Sequence, residues 1–160
     1  MKTMPTTPRL VLGCCLMLAS CAGSRPGNLG VHEGLLGDCP ASPNCVSSES
    51  TDPGHAIPAF YLTVDGARGW KATRDAVAAL PRTTIVTETA DYLHAECASR
   101  IFGFVDDVEL HLRGEPGIIA VRSASRVGYS DMGVNRKRIE MLRNELFRLH
   151  VLEHETGGSD

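Results

Sequence analysis

The chain is short of aromatics, with one tryptophan, three tyrosines and four phenylalanines in 160 residues. It offers no aromatic-rich surface on which the bases of a single strand could stack. It also lacks a basic excess, at formal net charge −3, and carries no long run of like charge. Both absences argue against nucleic acid as a partner. No apolar run reaches the roughly twenty residues that a membrane-spanning helix needs. No second cysteine pair and no histidine pair accompanies Cys39 and Cys45, so a tetrahedral metal site is left incomplete. No histidine has a readable place beside Ser130 and Asp131, so no nucleophilic triad follows.

What is present begins with an address. Lys2 and Arg9 form a positive start, and Leu10 to Ala19 form an apolar run of about ten residues. Leu18-Ala19-Ser20-Cys21 follows, the pattern that a bacterial lipoprotein peptidase cleaves before cysteine. Ordinary secretion is the rival, because Ser20 and Ala22 also satisfy a small-residue cleavage rule. The lipoprotein reading is preferred, since the cysteine falls where its pattern requires. Fatty-acyl chains such as palmitate on Cys21 would anchor the protein to membrane lipid at about 0.8 kcal/mol per buried methylene. The expected location is the cell envelope, facing the periplasm, with Ala22 after the cysteine favouring the outer membrane.

Four segments are expected: a signal peptide over 1–20, a tether and Cys-Pro-rich loop over 21–55, a domain over 56–152 and a disordered tail over 153–160. Export sets how the cysteines are read. Cys39 and Cys45 bracket Pro-Ala-Ser-Pro-Asn, a stiff turn that suits a disulfide in an oxidising compartment. Cys97 is then a free, buried thiol.

Within the domain the pattern is legible. Phe60, Leu62 and Val64 alternate with Tyr61 and Thr63, as in a half-buried strand. Asp65 can cap a helix through Trp70, Val77 and Leu80 that stops at Pro81. Residues 84–87 and 92–99 predict one hairpin, and 104–112 with 118–125 a second. Ile139, Leu142, Leu146 and Leu149 form the stripe of a last helix. The fold class is α+β: a mostly antiparallel sheet of about five strands, in the order β-α-β-β-β-β-α, with two helices on one face.

Alternation assigns the faces. Pairing apolar with apolar sets Leu112 opposite Ile119 and Leu110 opposite Val121, which places Glu109 opposite Arg122. One face then gathers His94, Glu96, Asp107, Glu109, Arg122 and Arg126. The plain expectation for it is a wet face laced with weak ion pairs, since antiparallel sheets commonly leave one side to water.

Two features do not fit a plain sheet. Asp106, Ser123 and Ser125 fall on the apolar side, where an unpaired carboxylate is costly. Either a hydrogen-bonded pocket under the helices satisfies them, or a bulge at Asp106-Asp107 turns Asp106 outward. The last helix also starts with Asn135-Arg136-Lys137-Arg138, where the helix dipole disfavours cations by roughly 0.3–1 kcal/mol each. Asp131, Asp106, Asp107 or a bound anion would offset them.

Cys39-Pro-Ala-Ser-Pro-Asn-Cys45-Val-Ser-Ser48, Phe104-Val-Asp-Asp-Val-Glu109, Arg122-Ser-Ala-Ser-Arg-Val-Gly-Tyr-Ser-Asp131 and Gly133-Val-Asn-Arg136 together resemble an uncharacterised family, domain of unknown function 1499. The similarity spans about Leu29 to Leu149. It implies no activity, substrate or cofactor, and its members are often small envelope proteins.

Three functions are weighed. The favoured one is a non-enzymatic, membrane-tethered binding module that recognises an anionic small molecule or envelope component. Arg122, Arg126, Arg136 and Arg138 would contact the anion, with Asp106, Asp107 and Glu109 holding the guanidiniums. The enzyme alternative makes Asp106, Asp107 and Glu109 a carboxylate set, holding a divalent cation if any, with His94 as base. The third, a structural envelope protein, predicts an exposed apolar patch. No cofactor is expected.

Overall fold

The computed structural model describes residues 23–114 and 117–152. The expected signal peptide, Cys21 as the expected lipidation site and the expected tail over 153–160 lie outside the described residues. The elements in chain order are β1 (Val31–His32), β2 (Leu35–Leu36), β3 (Cys45–Ser47), β4 (Phe60–Tyr61), α1 (Gly66–Ala78), β5 (Thr83–Glu88), β6 (Tyr92–Ala98), β7 (Val105–Arg113), β8 (Ile118–Ser125) and α2 (Val134–Arg148). The class is α+β, with two helices, a small β1–β2 ribbon and a six-stranded sheet. The main sheet runs β3-β8-β7-β6-β5, with β4 sharing the β8 edge with β3. All its strand pairs are antiparallel.

The central register is the one the alternation predicts. Leu112 faces Ile119, Leu110 faces Val121, Glu109 faces Arg122 and Asp106 faces Ser125. The β7–β8 pairing runs without interruption through Asp106 and Asp107, so no bulge turns Asp106 outward. On one face Leu93, Ala95, Val108, Leu110, Ile119 and Val121 are buried with Trp70 and Val77 of α1 and Ile139, Leu142 and Leu146 of α2. Each such leucine or isoleucine contributes about 1.5–3 kcal/mol by leaving water. Asp65 caps α1 by accepting from the Arg68 N–H at 3.0 Å. Gly69 lets that helix sit against Leu62, because a Cβ there would fall 2.5 Å from Leu62 Cδ1.

Two expectations change. The strand over 60–64 shortens to Phe60–Tyr61, since β8 has only Ile119 and Ile118 to offer it there. The stretch read as a tether and loop contains β1, β2 and β3 among its described residues, and Leu36 is 3% exposed. Strands of two or three residues leave no period in the sequence to detect. Cys39 and Cys45 form a disulfide.

Candidate functional site

The candidate residues singled out in the sequence do not share one site. Strand parity divides them between the two faces of the sheet.

On the face away from the helices lie Asp107, Glu109, Arg122 and Arg126, together with His94 and Glu96. This face is not wet. His94, Asp107, Glu109 and Arg122 are buried, and residues from the N-terminal stretch lie over them. Arg122 Nη1 donates to Glu109 Oε2 at 2.8 Å, and its Nη2 donates to the Asp38 carbonyl at 3.3 Å. Glu109 Oε1 accepts from the Gly30 N–H at 2.7 Å and from the Tyr92 hydroxyl at 2.8 Å. Arg126 grips Asp107 with Nε at 2.9 Å and Nη2 at 2.7 Å, and its Nη2 reaches Glu96 at 2.5 Å. Arg25 meets the same Glu96 oxygen at 2.6 Å.

These contacts set the protonation states. Burial would raise the Asp107 pKa, but hydrogen bonds from His94 and Arg126 outweigh it and hold the carboxyl below its usual range. Glu96 is lowered by its hydrogen bonds from Arg126 and Arg25. Burial, then the charge of Glu109, pushes the Tyr92 phenol well above its normal range, so it donates as a neutral hydroxyl. Because Asp107 is ionised and only accepts, His94 Nε2, 2.7 Å away, carries the shared proton.

His94, Glu96 and Asp107 offer ligand atoms within 4.8 Å of one another, a spacing suited to a metal ion. Arg126 Nη2 already sits between the two carboxylates. A cation there would have to displace a guanidinium that satisfies both.

Asp106, Ser123, Ser125 and Asn135 lie on the helix face, in the hydrogen-bonded pocket that was one of the two sequence expectations. Arg138 Nη2 donates to Asp106 Oδ2 at 2.6 Å, and its Nη1 to Asn135 Oδ1 at 2.6 Å and Ser123 Oγ at 3.0 Å. Asn135 Nδ2 donates to Ser125 Oγ and to the Asn44 carbonyl, each at 3.0 Å. Asp131 accepts from the Gly133 and Asn135 N–H groups, so a protein carboxylate tempers the cationic helix start. Gly133, at φ +77, makes that tight entry possible. Arg136 points elsewhere and donates to the carbonyls of Ala56 and Gly54.

The enzyme alternative therefore loses its carboxylate set. Asp106 is on the opposite side of the sheet from Asp107 and Glu109, and the three cannot converge on one ion.

Residues 35–146 match the family described as protein of unknown function, DUF1499. The chain belongs to this family. The match spans the disulfide and the charge clusters apart from Arg25 and Gly30, and the family's description assigns neither a reaction nor a ligand. Among curated proteins, none matches the chain.

Sequence reasoning missed Tyr92, Arg25, Gly30, Asp38 and Asn44 as parts of these clusters. Parity could have found Tyr92, since 92, 94 and 96 share a face. Nothing in the spacing of the others announces their contacts. A third feature was also unforeseen: a cleft of about 370 Å³ lined by Arg82, Arg100, Lys137 and Arg138, with Asp106 and Cys97 at its wall. Burial raises the pKa of the Cys97 thiol, which sits 3.1 Å from Thr83 Oγ1 and is thereby disfavoured as a thiolate.

Proposed function

We propose that the chain is a lipid-anchored protein of the bacterial cell envelope, held through acylated Cys21, whose domain binds an anionic group without catalysing a reaction. The address rests on the charged start, the short apolar run and the cysteine that follows it. Among the described residues no helix is long and apolar enough to cross a membrane.

One observation supports the binding half: the contrast between committed and free cations. Arg122 and Arg126 are spent on buried carboxylates, and Arg136 on backbone carbonyls. Arg100 and Lys137, beside the cleft, have no ion pair among the described residues, and Arg82 Nε donates only to the Ala98 carbonyl. The proposed anion site thus moves from the Arg122–Arg126 face to this cleft, where Arg138 is the one member of the original four that remains. Asp106 neutralises Arg138, which leaves Arg82, Arg100 and Lys137 to attract a negative ligand.

Two measurements test the reading. The mass of the N-terminal peptide from bacterial membranes should correspond to an acylated Cys21; an unprocessed chain beginning at Met1 in the cytosol would end the envelope assignment. Inorganic phosphate or glycerol phosphate should shift the amide resonances of Arg100 and Lys137. Arg100→Glu with Lys137→Glu should remove the shift while leaving the thermal midpoint in place. No shift in the parent protein would end the anion assignment.

A further inference from the structure

One end of the domain departs from the rest of its surface. The β6–β7 turn and the β8–α2 connection emerge side by side, since Arg126 N donates to the Val105 carbonyl at 3.1 Å. They expose Ile101 (81%), Phe102 (69%), Tyr129 (76%) and Met132 (89%), with Phe104 and Val127 part-exposed beside them. A chain so short of aromatics places two of its four phenylalanines here, stacked on each other at 5.5 Å. Contiguous exposure of this kind marks a contact surface.

The same end is cationic. Of the two arginines in segments 98–105 and 126–134, Arg126 is cancelled by Asp107 and Glu96, whereas Arg100 has no ion pair among the described residues, and the other acids close by are Asp106 and Asp131. Asp106 is paired to Arg138 and Asp131 is engaged by backbone N–H groups. Arg82, Arg100 and Lys137 therefore flank the apolar tip with uncancelled charge.

The position of the anchor says what covers this surface. Gly23 packs so tightly here that a Cβ on it would lie 2.9 Å from Val127 Cγ1 and 3.0 Å from Arg126 Cβ. Cys21 is two residues earlier, and two residues span at most about 7 Å. An acyl chain on Cys21 must leave the protein from beside this tip.

We propose that this end of the domain docks on the bilayer that holds the acyl chains. Phe102, Phe104, Tyr129 and Met132 enter the interface, and Arg100 and Lys137 engage lipid phosphate. The proposal rests on the lipoprotein reading and identifies the anion of the cleft as a phospholipid headgroup. Apolar side chains flanked by basic ones are the combination that binds an anionic lipid surface. The domain is then held flat against the membrane, not swung on a tether.

The test uses the full, processed protein reconstituted in phosphatidylethanolamine–phosphatidylglycerol vesicles. An environment-sensitive fluorophore is placed at Phe102→Cys, at Met132→Cys or, as a control away from the tip, at the exposed Tyr61→Cys. Brominated lipid should quench the first two labels about twofold more strongly than the third, as expected for side chains in the interface. Adding Arg100→Glu and Lys137→Glu should reduce that difference while the acyl chains keep the protein on the vesicle. Equal quenching at all three positions in an acylated protein overturns docking and leaves the anchor standing. An N-terminal peptide without acyl mass overturns both. Blue-shifted tip labels that lipid does not quench, with cross-linked dimers, would assign the surface to a second copy and also overturn the proposal.

Discussion

The two faces of the sheet each bury a carboxylate–arginine pair, yet they are built differently. On the helix face the strand supplies Asp106 and α2 supplies Arg138, at the margin of an apolar core. On the other face the sheet supplies both partners, because Glu109 and Arg122 are direct neighbours across β7 and β8. The covers differ as well. Helices bring apolar stripes, and their interior N–H groups are already bonded within the helix. The irregular stretch over the second face brings backbone groups still in need of partners, and the Gly30 N–H and Asp38 carbonyl find them in Glu109 and Arg122. A charged face calls for a cover of that kind. An apolar face does not.

The comparison breaks first if the sheet-built pair proves weak. Glu109→Leu would leave Arg122 buried without its counter-charge and strip the Tyr92 hydroxyl and Gly30 N–H of their acceptor. The expected loss is about 3–5 kcal/mol, read from urea unfolding. Glu109→Leu with Arg122→Met should recover part of it, giving a coupling energy of roughly 1–3 kcal/mol. A single-variant loss below about 1 kcal/mol would mean that water reaches the pair, as at exposed salt bridges. On the helix face Asp106→Ala should cost less, about 1.5–3 kcal/mol, the value of hydrogen bonds to a charged group. Arg138 can turn toward solvent through the cleft, an escape that Arg122 lacks. Equal losses at the two sites would erase the distinction.

Much of this arrangement was legible because sheets obey parity. Alternation placed Asp106, Ser123 and Ser125 under the helices, and apolar matching set Glu109 against Arg122. Alternation says nothing about what lies on top. The second face was expected to be wet because antiparallel sheets commonly leave one side to water, and residues 23–38, rich in glycine, carry no period that announces a cover. Their hold depends on single backbone groups whose identity a sequence does not encode. Joining Asp106, Asp107 and Glu109 into one carboxylate set failed for a related reason: neighbours in sequence such as Asp106 and Asp107 are on opposite sides of a strand. The apolar tip was missed because Phe102 and Tyr129 are in separate turns, joined only by the pairing of β7 with β8.

The smallest effect should appear in the pH dependence, and it sharpens the same contrast. Asp107 and Glu96 are held below their ordinary values of 3.8 and 4.5. Their contribution is present above that range and is lost as the pH falls through the folded-state values. His111, on the same face as Glu109, acts in the same direction at higher pH: burial, then Arg113, lowers its pKa from 6.5. The unfolded chain then binds a proton at His111 before the folded one does, so stability declines as the pH drops below about 6.5. Two acid arms should therefore be resolved in urea midpoints measured from neutral pH downward. His111→Gln should flatten the upper arm between roughly pH 7 and 5 and leave the lower one, which belongs to the carboxylates. If the substitution leaves the upper slope unchanged, water reaches the imidazole in the folded state, and the cover over that face is looser than its contacts with Glu109 and Arg122 require.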